Sequence, residues 1–161
     1  MRFNTISVLL SSASAALGGV IPRADDDYIW NVTQWQAGLS HGNPASPTTS
    51  WYAFTVSGLA YDSSYSDIYV PPFGARCTGS GAGFPLSSEY SPCAIDSAVS
   101  EAGSAVSARI VPDEQSSQAH IAISYSFADA DHIRNFTAIA VTDWARERPP
   151  YNFTLAPEEV L

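Results

Sequence analysis

Apolar and polar residues alternate with a period of two along most of this chain. The clearest run is AHIAISYSF (119–127), which sets Ile121, Ile123, Tyr125 and Phe127 against His120, Ala122, Ser124 and Ser126. WYAFTVSG (51–58) opposes Tyr52, Phe54 and Val56 to Trp51, Ala53 and Thr55, and SAVSARIVP (104–112) opposes Val106, Ala108 and Ile110 to Ala105, Ser107, Arg109 and Val111. Successive side chains of a strand point to opposite faces, so this rhythm predicts strands with one buried side. YIWNVTQWQ (28–36), SDIYVPPFGARC (66–77), NFTAIAVTDW (135–144) and YNFTLA (151–156) bring the total to about seven strands, separated by Gly, Pro and Ser. Residues 95–103 (IDSAVSEAG) hold at most a short helical turn. The expected fold is all-β: a single-domain antiparallel β-barrel or sandwich over residues 28–161.

Three glycosylation sequons fall inside these predicted strands: Asn31-Val32-Thr33, Asn135-Phe136-Thr137 and Asn152-Phe153-Thr154. Each has an apolar residue in the middle. Strand alternation then puts Asn and Thr on the wet face and sends Val32, Phe136 and Phe153 inward. The same register places Trp35 outside with Asn31 and Thr33. Either a bulge turns Trp35 into the core, or Trp35 is an exposed contact for a partner or ligand.

Compartment changes the picture next. MRF supplies a short positive start, ISVLL an apolar stretch, and SSASAALGG a run of small residues. Residues 1–18 therefore read as a secretory signal peptide, cut after Ala16 or Gly18. Residues 19–27 (GVIPRADDD, with one Arg and three Asp) read as a flexible or trimmed segment. The apolar run is too short for a membrane helix, and the product is expected to be extracellular and soluble. Cys77 and Cys93 are the two cysteines of the chain. In an oxidising compartment they should join, closing a Gly-, Ser- and Pro-rich loop.

Charge narrows the partners. All seven basic residues are Arg, and sixteen acids bring the net charge to −9. Such a surface repels phosphate backbones and anionic lipids, so neither nucleic acid nor a membrane is expected as partner. The aromatic content of 12% argues against disorder.

Catalytic chemistry leaves little trace. There is no GxSxG elbow and no HExxH or CxxC signature. GSGAG (79–83) lacks the Lys of a phosphate loop. Asp129-Ala130-Asp131-His132 gathers carboxylates and an imidazole, yet Asp is an ordinary turn residue between strands, and a solvated turn is the expectation. His41, His120 and His132 are scattered, and Glu89, Glu101 and Glu114 sit in polar, loop-like stretches. No catalytic residue, metal or cofactor is assigned. A hydrolase would need a site assembled only in space.

WNVTQWQAG, then WYAFTVSG, then PPFGARC, a glycine-rich stretch and YSPC together resemble the small secreted fungal proteins of the Alternaria major-allergen type. Trp30, Val32, Thr33, Trp35 and Ala37 match that family's first strand, and Tyr52, Phe54, Val56 and Ser57 its second. Cys77 and Cys93 match its later cysteine pair, so the resemblance covers roughly residues 28–93. A further family pair, between the first two strands, has no counterpart in GLSHGNPASPTTSW. The resemblance implies a compact β-barrel secreted by a fungus. Its members look like effectors or elicitors at the plant–fungus boundary, some associated with host defence proteins or small phenolic ligands. The expected function is a non-enzymatic interaction protein acting on a host extracellular protein. The alternatives are a binder of a small apolar or phenolic ligand, and a secreted hydrolase.

Overall fold

Among the described residues, twelve strands follow one another with no helix between them. The computed structural model describes residues 28–40, 49–63, 68–82, 89–112, 118–130, 132–143 and 150–160. The predicted signal peptide, the 19–27 segment, His41, Glu114, Gly83 and Asp131 lie outside the described residues. The strands are β1 (Trp30–Ser40), β2 (Thr49–Gly58), β3 (Tyr61–Ser63), β4 (Ile68–Val70), β5 (Phe73–Ala82) and β6 (Ser91–Pro92). They continue as β7 (Ala94–Ile95), β8 (Ala105–Pro112), β9 (Gln118–Asp129), β10 (His132–Asp143), β11 (Tyr151–Leu155) and β12 (Glu158–Glu159).

These strands form two five-stranded antiparallel sheets and one small ribbon. The first sheet has the order β11-β1-β2-β5-β7, the second β12-β10-β9-β8-β6, and β3 pairs with β4. Among the described residues the ladder does not close on itself, so of the two expected architectures the sandwich is the one formed. At each side, however, the chain crosses from sheet to sheet. β6 pairs with β8, and two residues later β7 pairs with β5. β11 pairs with β1, and after Ala156 and a buried Pro157, β12 pairs with β10. Such sheet-switching segments form the corners of packed sheets.

Apart from Trp35, the core is what the alternation dictated. The first sheet contributes Trp30, Val32, Trp35, Tyr52, Phe54, Val56, Phe73, Ala75, Cys77 and Leu155. The second contributes Val106, Ala108, Ile110, Ile121, Ile123, Tyr125, Phe127, Phe136 and Ala138. Each large apolar side chain so buried stabilises the fold by roughly 1.5–3 kcal/mol relative to exposure. Aromatic rings meet edge-on or stacked through the interior: Trp30 against Phe73 at 5.2 Å, Trp35 against Phe54 at 5.2 Å, Tyr125 against Phe127 at 5.4 Å. Such pairs contribute about 0.5–1.5 kcal/mol beyond the area they bury.

Two glycines make room for rings. A Cβ at Gly79 would clash with the Cε1, Cζ and hydroxyl end of Tyr52, its cross-strand partner. One at Gly58 would stand 2.6 Å from Phe73.

Ile95 belongs to β7, and residues 96–103 form turns rather than helix. Asp96 organises the first: its carboxylate accepts the N–H of Ala98 at 3.0 Å, and its carbonyl accepts those of Val99 and Ser100. Asp96 N–H in turn donates to the carbonyl of Gly74 at 2.8 Å, and Ser100 Oγ accepts from Gly74 N–H at 3.1 Å. The carboxylate takes one of the turn's donors and the carbonyl two more, so one turn forms and the chain then leaves it.

Candidate functional site

The cysteine pair stands where the chain changes sheets. Cys77, fully buried on β5, is bonded to Cys93, the residue between β6 and β7. Cys93 N–H also donates to the carbonyl of Val106 on β8 at 2.8 Å. One residue is thus tied covalently to the first sheet and by a hydrogen bond to the second. Part of the loop that the bridge closes lies outside the described residues.

The sequon asparagines face outward. Asn31 and Asn152 are exposed and Asn135 is half-buried, whereas Val32 and Phe136 are buried and Phe153 packs against the core. Asn135 Oδ1 accepts a 2.6 Å hydrogen bond from Ser124 Oγ, which lies diagonally across from it on β9, two residues from its register partner Ser126. Asn31 lies in register with Thr154, so the first and third sequons run antiparallel on paired strands.

Trp35 is not an exposed contact. It is 1% exposed, enclosed by Tyr52, Phe54 and Phe153. The register shows why the simple parity fails. Thr33 pairs with Thr55 but Gln36 pairs with Ala53, so β1 carries one residue more than β2. The same shift appears against β11, where Val32 meets Phe153 and Trp35 meets Tyr151. Gln34 absorbs the extra residue at φ 55°, a left-handed conformation that L side chains adopt only rarely. Beyond this bulge the inward positions are 35 and 37 rather than 34 and 36. The main-chain N–H of Gln34, released from the ladder, donates to Asn152 Oδ1 at 3.0 Å.

Large exposed apolar residues occur on the outer face of the second sheet instead. Ile139 is 58% and Val141 61% exposed, both on β10 with the same parity as Asn135 and Thr137. In register beside them lie Ala122 and Arg109, and His120 and Val111. The Arg109 guanidinium lies 4.8 Å over the ring of Tyr90. The sequence carried this signal: once Asn135 points out, Thr137, Ile139 and Val141 must follow.

The Asp129–His132 segment is a hairpin turn. Asp129 and His132 are the closing pair of β9 and β10, and Ala130 takes φ 52°, as tight hairpin turns demand. Asp129 is engaged by Arg134 Nε at 2.5 Å, and the same guanidinium donates from Nη1 to Glu159 at 2.8 Å. These two carboxylates hold the Arg134 guanidinium above its ordinary pKa, Asp129 contributing most. Arg134 thereby fastens the β9–β10 turn to β12. Among the described residues no group of three or more His, Cys, Asp or Glu could hold a metal ion.

Surface depressions among the described residues include two. One, of about 340 Å³, sits on the outer face of the first sheet, where Thr55, Ser57 and Arg76 face Ile95, Asp96 and Val99. The other, of about 370 Å³, is bounded by His132, Ile133, Arg134, Glu159 and Val160. The second brings an imidazole near a carboxylate, but Glu159 is engaged by Arg134 and no hydroxyl or thiol stands among the bounding residues. Buried tyrosines are the other perturbed groups. Desolvation pushes the phenols of Tyr28, Tyr52 and Tyr125 up, opposed at Tyr28 by the Trp30 indole and at Tyr125 by Ser104. These are groups kept neutral by the core rather than tuned for proton transfer. Comparison with protein-family models, with curated proteins and with solved structures finds no match to this chain.

Proposed function

We propose that the protein is a secreted, non-enzymatic interaction protein of the effector or elicitor type, acting on a host extracellular protein. The observation that supports this most is the exposed pair Ile139 and Val141 on a regular sheet face. Aliphatic side chains held open in this way gain free energy when a partner covers them. Among the described residues, Trp30, Trp35, Tyr52, Phe54, Phe73, Tyr125, Phe127 and Phe136, which could have lined a ligand site, are instead packed in the interior. The net charge of −9 steers the molecule toward a partner with a basic surface and accelerates that encounter at low salt.

The resemblance to the Alternaria major-allergen type supports the same reading through residues 28–93, and so does the signal-peptide pattern of residues 1–18. The three outward sequons suit a glycoprotein made in the secretory pathway.

The test is a pull-down from host apoplastic fluid with the oxidised protein and with the Ile139→Glu/Val141→Glu variant, read by mass spectrometry. The expected result is a basic host protein retained by the former and lost with the latter. Recovery of no protein, with a small aromatic compound co-purifying, would replace this reading with that of a ligand binder.

A further inference from the structure

The geometry points to a double use of one amide: Asn152 holds the Trp35 bulge through Oδ1 and carries an N-linked glycan on Nδ2. The inference rests on the secretory reading above. Its structural half starts from the donor. A main-chain N–H can only donate, so the atom of Asn152 that faces Gln34 at 3.0 Å is the carbonyl oxygen. The amide nitrogen is the other branch of the same planar group and is turned away from that contact. Asn152 itself is exposed, and so is Thr154, the third residue of its sequon.

Glycosylation leaves the clamp intact. The Nδ2 lone pair attacks the anomeric carbon of an oligosaccharide carried on a polyisoprenyl pyrophosphate. An N–C bond forms, the C–O bond to the pyrophosphate breaks, the carrier leaves with that electron pair, and one amide proton passes to a base. Oδ1 takes no part and still accepts from Gln34.

The consequence reaches the core. Gln34 is the residue in the left-handed conformation, and its position decides that Trp35 points inward, 118 residues in sequence from the side chain that steadies it. A glycan rooted at Asn152 would restrict the amide's rotation and favour the clamped rotamer. Modification at the surface is thereby coupled to the packing of Trp35 against Tyr52, Phe54 and Phe153.

The experiment compares the full chain, secreted from a yeast host, with four variants. Thr154→Ala removes the sequon and keeps the amide, Thr154→Ser keeps both, Asn152→Asp keeps an acceptor only, and Asn152→Ala removes everything. Peptide mapping by mass reads the glycan, and near-ultraviolet circular dichroism with thermal melting reads the Trp35 packing. The expected results are a glycan at Asn152 in the natural chain and in Thr154→Ser, lost in the other three. Asn152→Ala should melt roughly 2–4 °C below Asn152→Asp and alone change the tryptophan signal. An unmodified Asn152 in secreted protein would overturn the glycan half, and identical melting of Asn152→Ala and Asn152→Asp would overturn the clamp. A chain retained in the cell under its own N-terminus, yet glycosylated at Asn152 behind a host leader, would sink the secretion reading and the natural glycan with it, while the melting difference between Asn152→Ala and Asn152→Asp still decides the clamp.

Discussion

The ring of Phe73, in the first sheet, lies 4.1 Å from that of Tyr125, in the second, with their planes inclined by 19°. It joins the two halves of the sandwich at its centre. The Tyr125 hydroxyl extends the link, donating to the carbonyl of Pro71 at 3.2 Å with Ser104 Oγ 3.3 Å away. Phe73→Ala is expected to cost about 3–5 kcal/mol, because it deletes a ring from a fully buried position. Tyr125→Phe keeps the stack and loses the hydroxyl, so it should cost only about 1 kcal/mol. Urea unfolding followed by tryptophan fluorescence separates the two.

Glycines under rings make a second prediction. Gly79→Ala and Gly58→Ala each place a methyl group where Tyr52 or Phe73 already sits. Each should destabilise the fold by roughly 1–3 kcal/mol through overpacking, although alanine is otherwise the gentlest substitution. Gly103, whose would-be Cβ meets nothing within 4 Å, serves as contrast. Its φ of 88° means that strain alone acts there.

Gln34 and Ala130 lead to an opposite expectation. Both hold a left-handed backbone without being glycine. Gln34→Gly should relieve about 1 kcal/mol of steric penalty and raise the thermal midpoint, whereas Gln34→Val should lower it, β-branching being least tolerated there. Ala130→Gly should act like Gln34→Gly. Calorimetry on the three variants checks the sign of each.

Alkaline pH should unfold the protein early. Tyr28, Tyr52 and Tyr125 ionise near 10.0 when solvated, and burial pushes each upward. Above that pH the unfolded chain loses protons that the folded chain retains. Their contribution is therefore intact below pH 10 and is lost as pH rises toward the folded values. Denaturation midpoints between pH 8 and about 11 should fall steeply only past the ordinary phenol range.

The disulfide closes a 17-residue loop, counted from Cys77 through Cys93 at a separation of 16. Removing it in the Cys77→Ala/Cys93→Ala variant should cost roughly 3 kcal/mol. Equilibrium unfolding of this variant beside the oxidised natural protein measures it.

Long strands were legible in the sequence because each buries one face. Tyr52, Phe54 and Val56 on β2, and Ile121, Ile123, Tyr125 and Phe127 on β9, alternate without interruption and are all in the core. Trp35 was not decidable by parity. A bulge depends on the backbone of Gln34 and on a hydrogen-bond acceptor far along the chain, neither of which leaves a local pattern. The two-residue strands β6, β7 and β12 were equally invisible, since no period can show itself in two positions. The open face at Ile139 and Val141 was readable from the Asn135 sequon but looked like ordinary strand hydrophobicity. Arg134, which ties Asp129 to Glu159, carries no signal beyond its charge.

The two crossings, Ser91 to Ile95 on one side and Tyr151 to Glu159 on the other, have a last consequence. A stack of sheets joined only by side chains can part like the covers of a book and admit a greasy guest. Here unbroken backbone stitches both margins, and one margin is riveted by sulfur as well. Parting the covers would therefore mean breaking one of these stitches, so the two sheets should come apart only as the whole fold unravels.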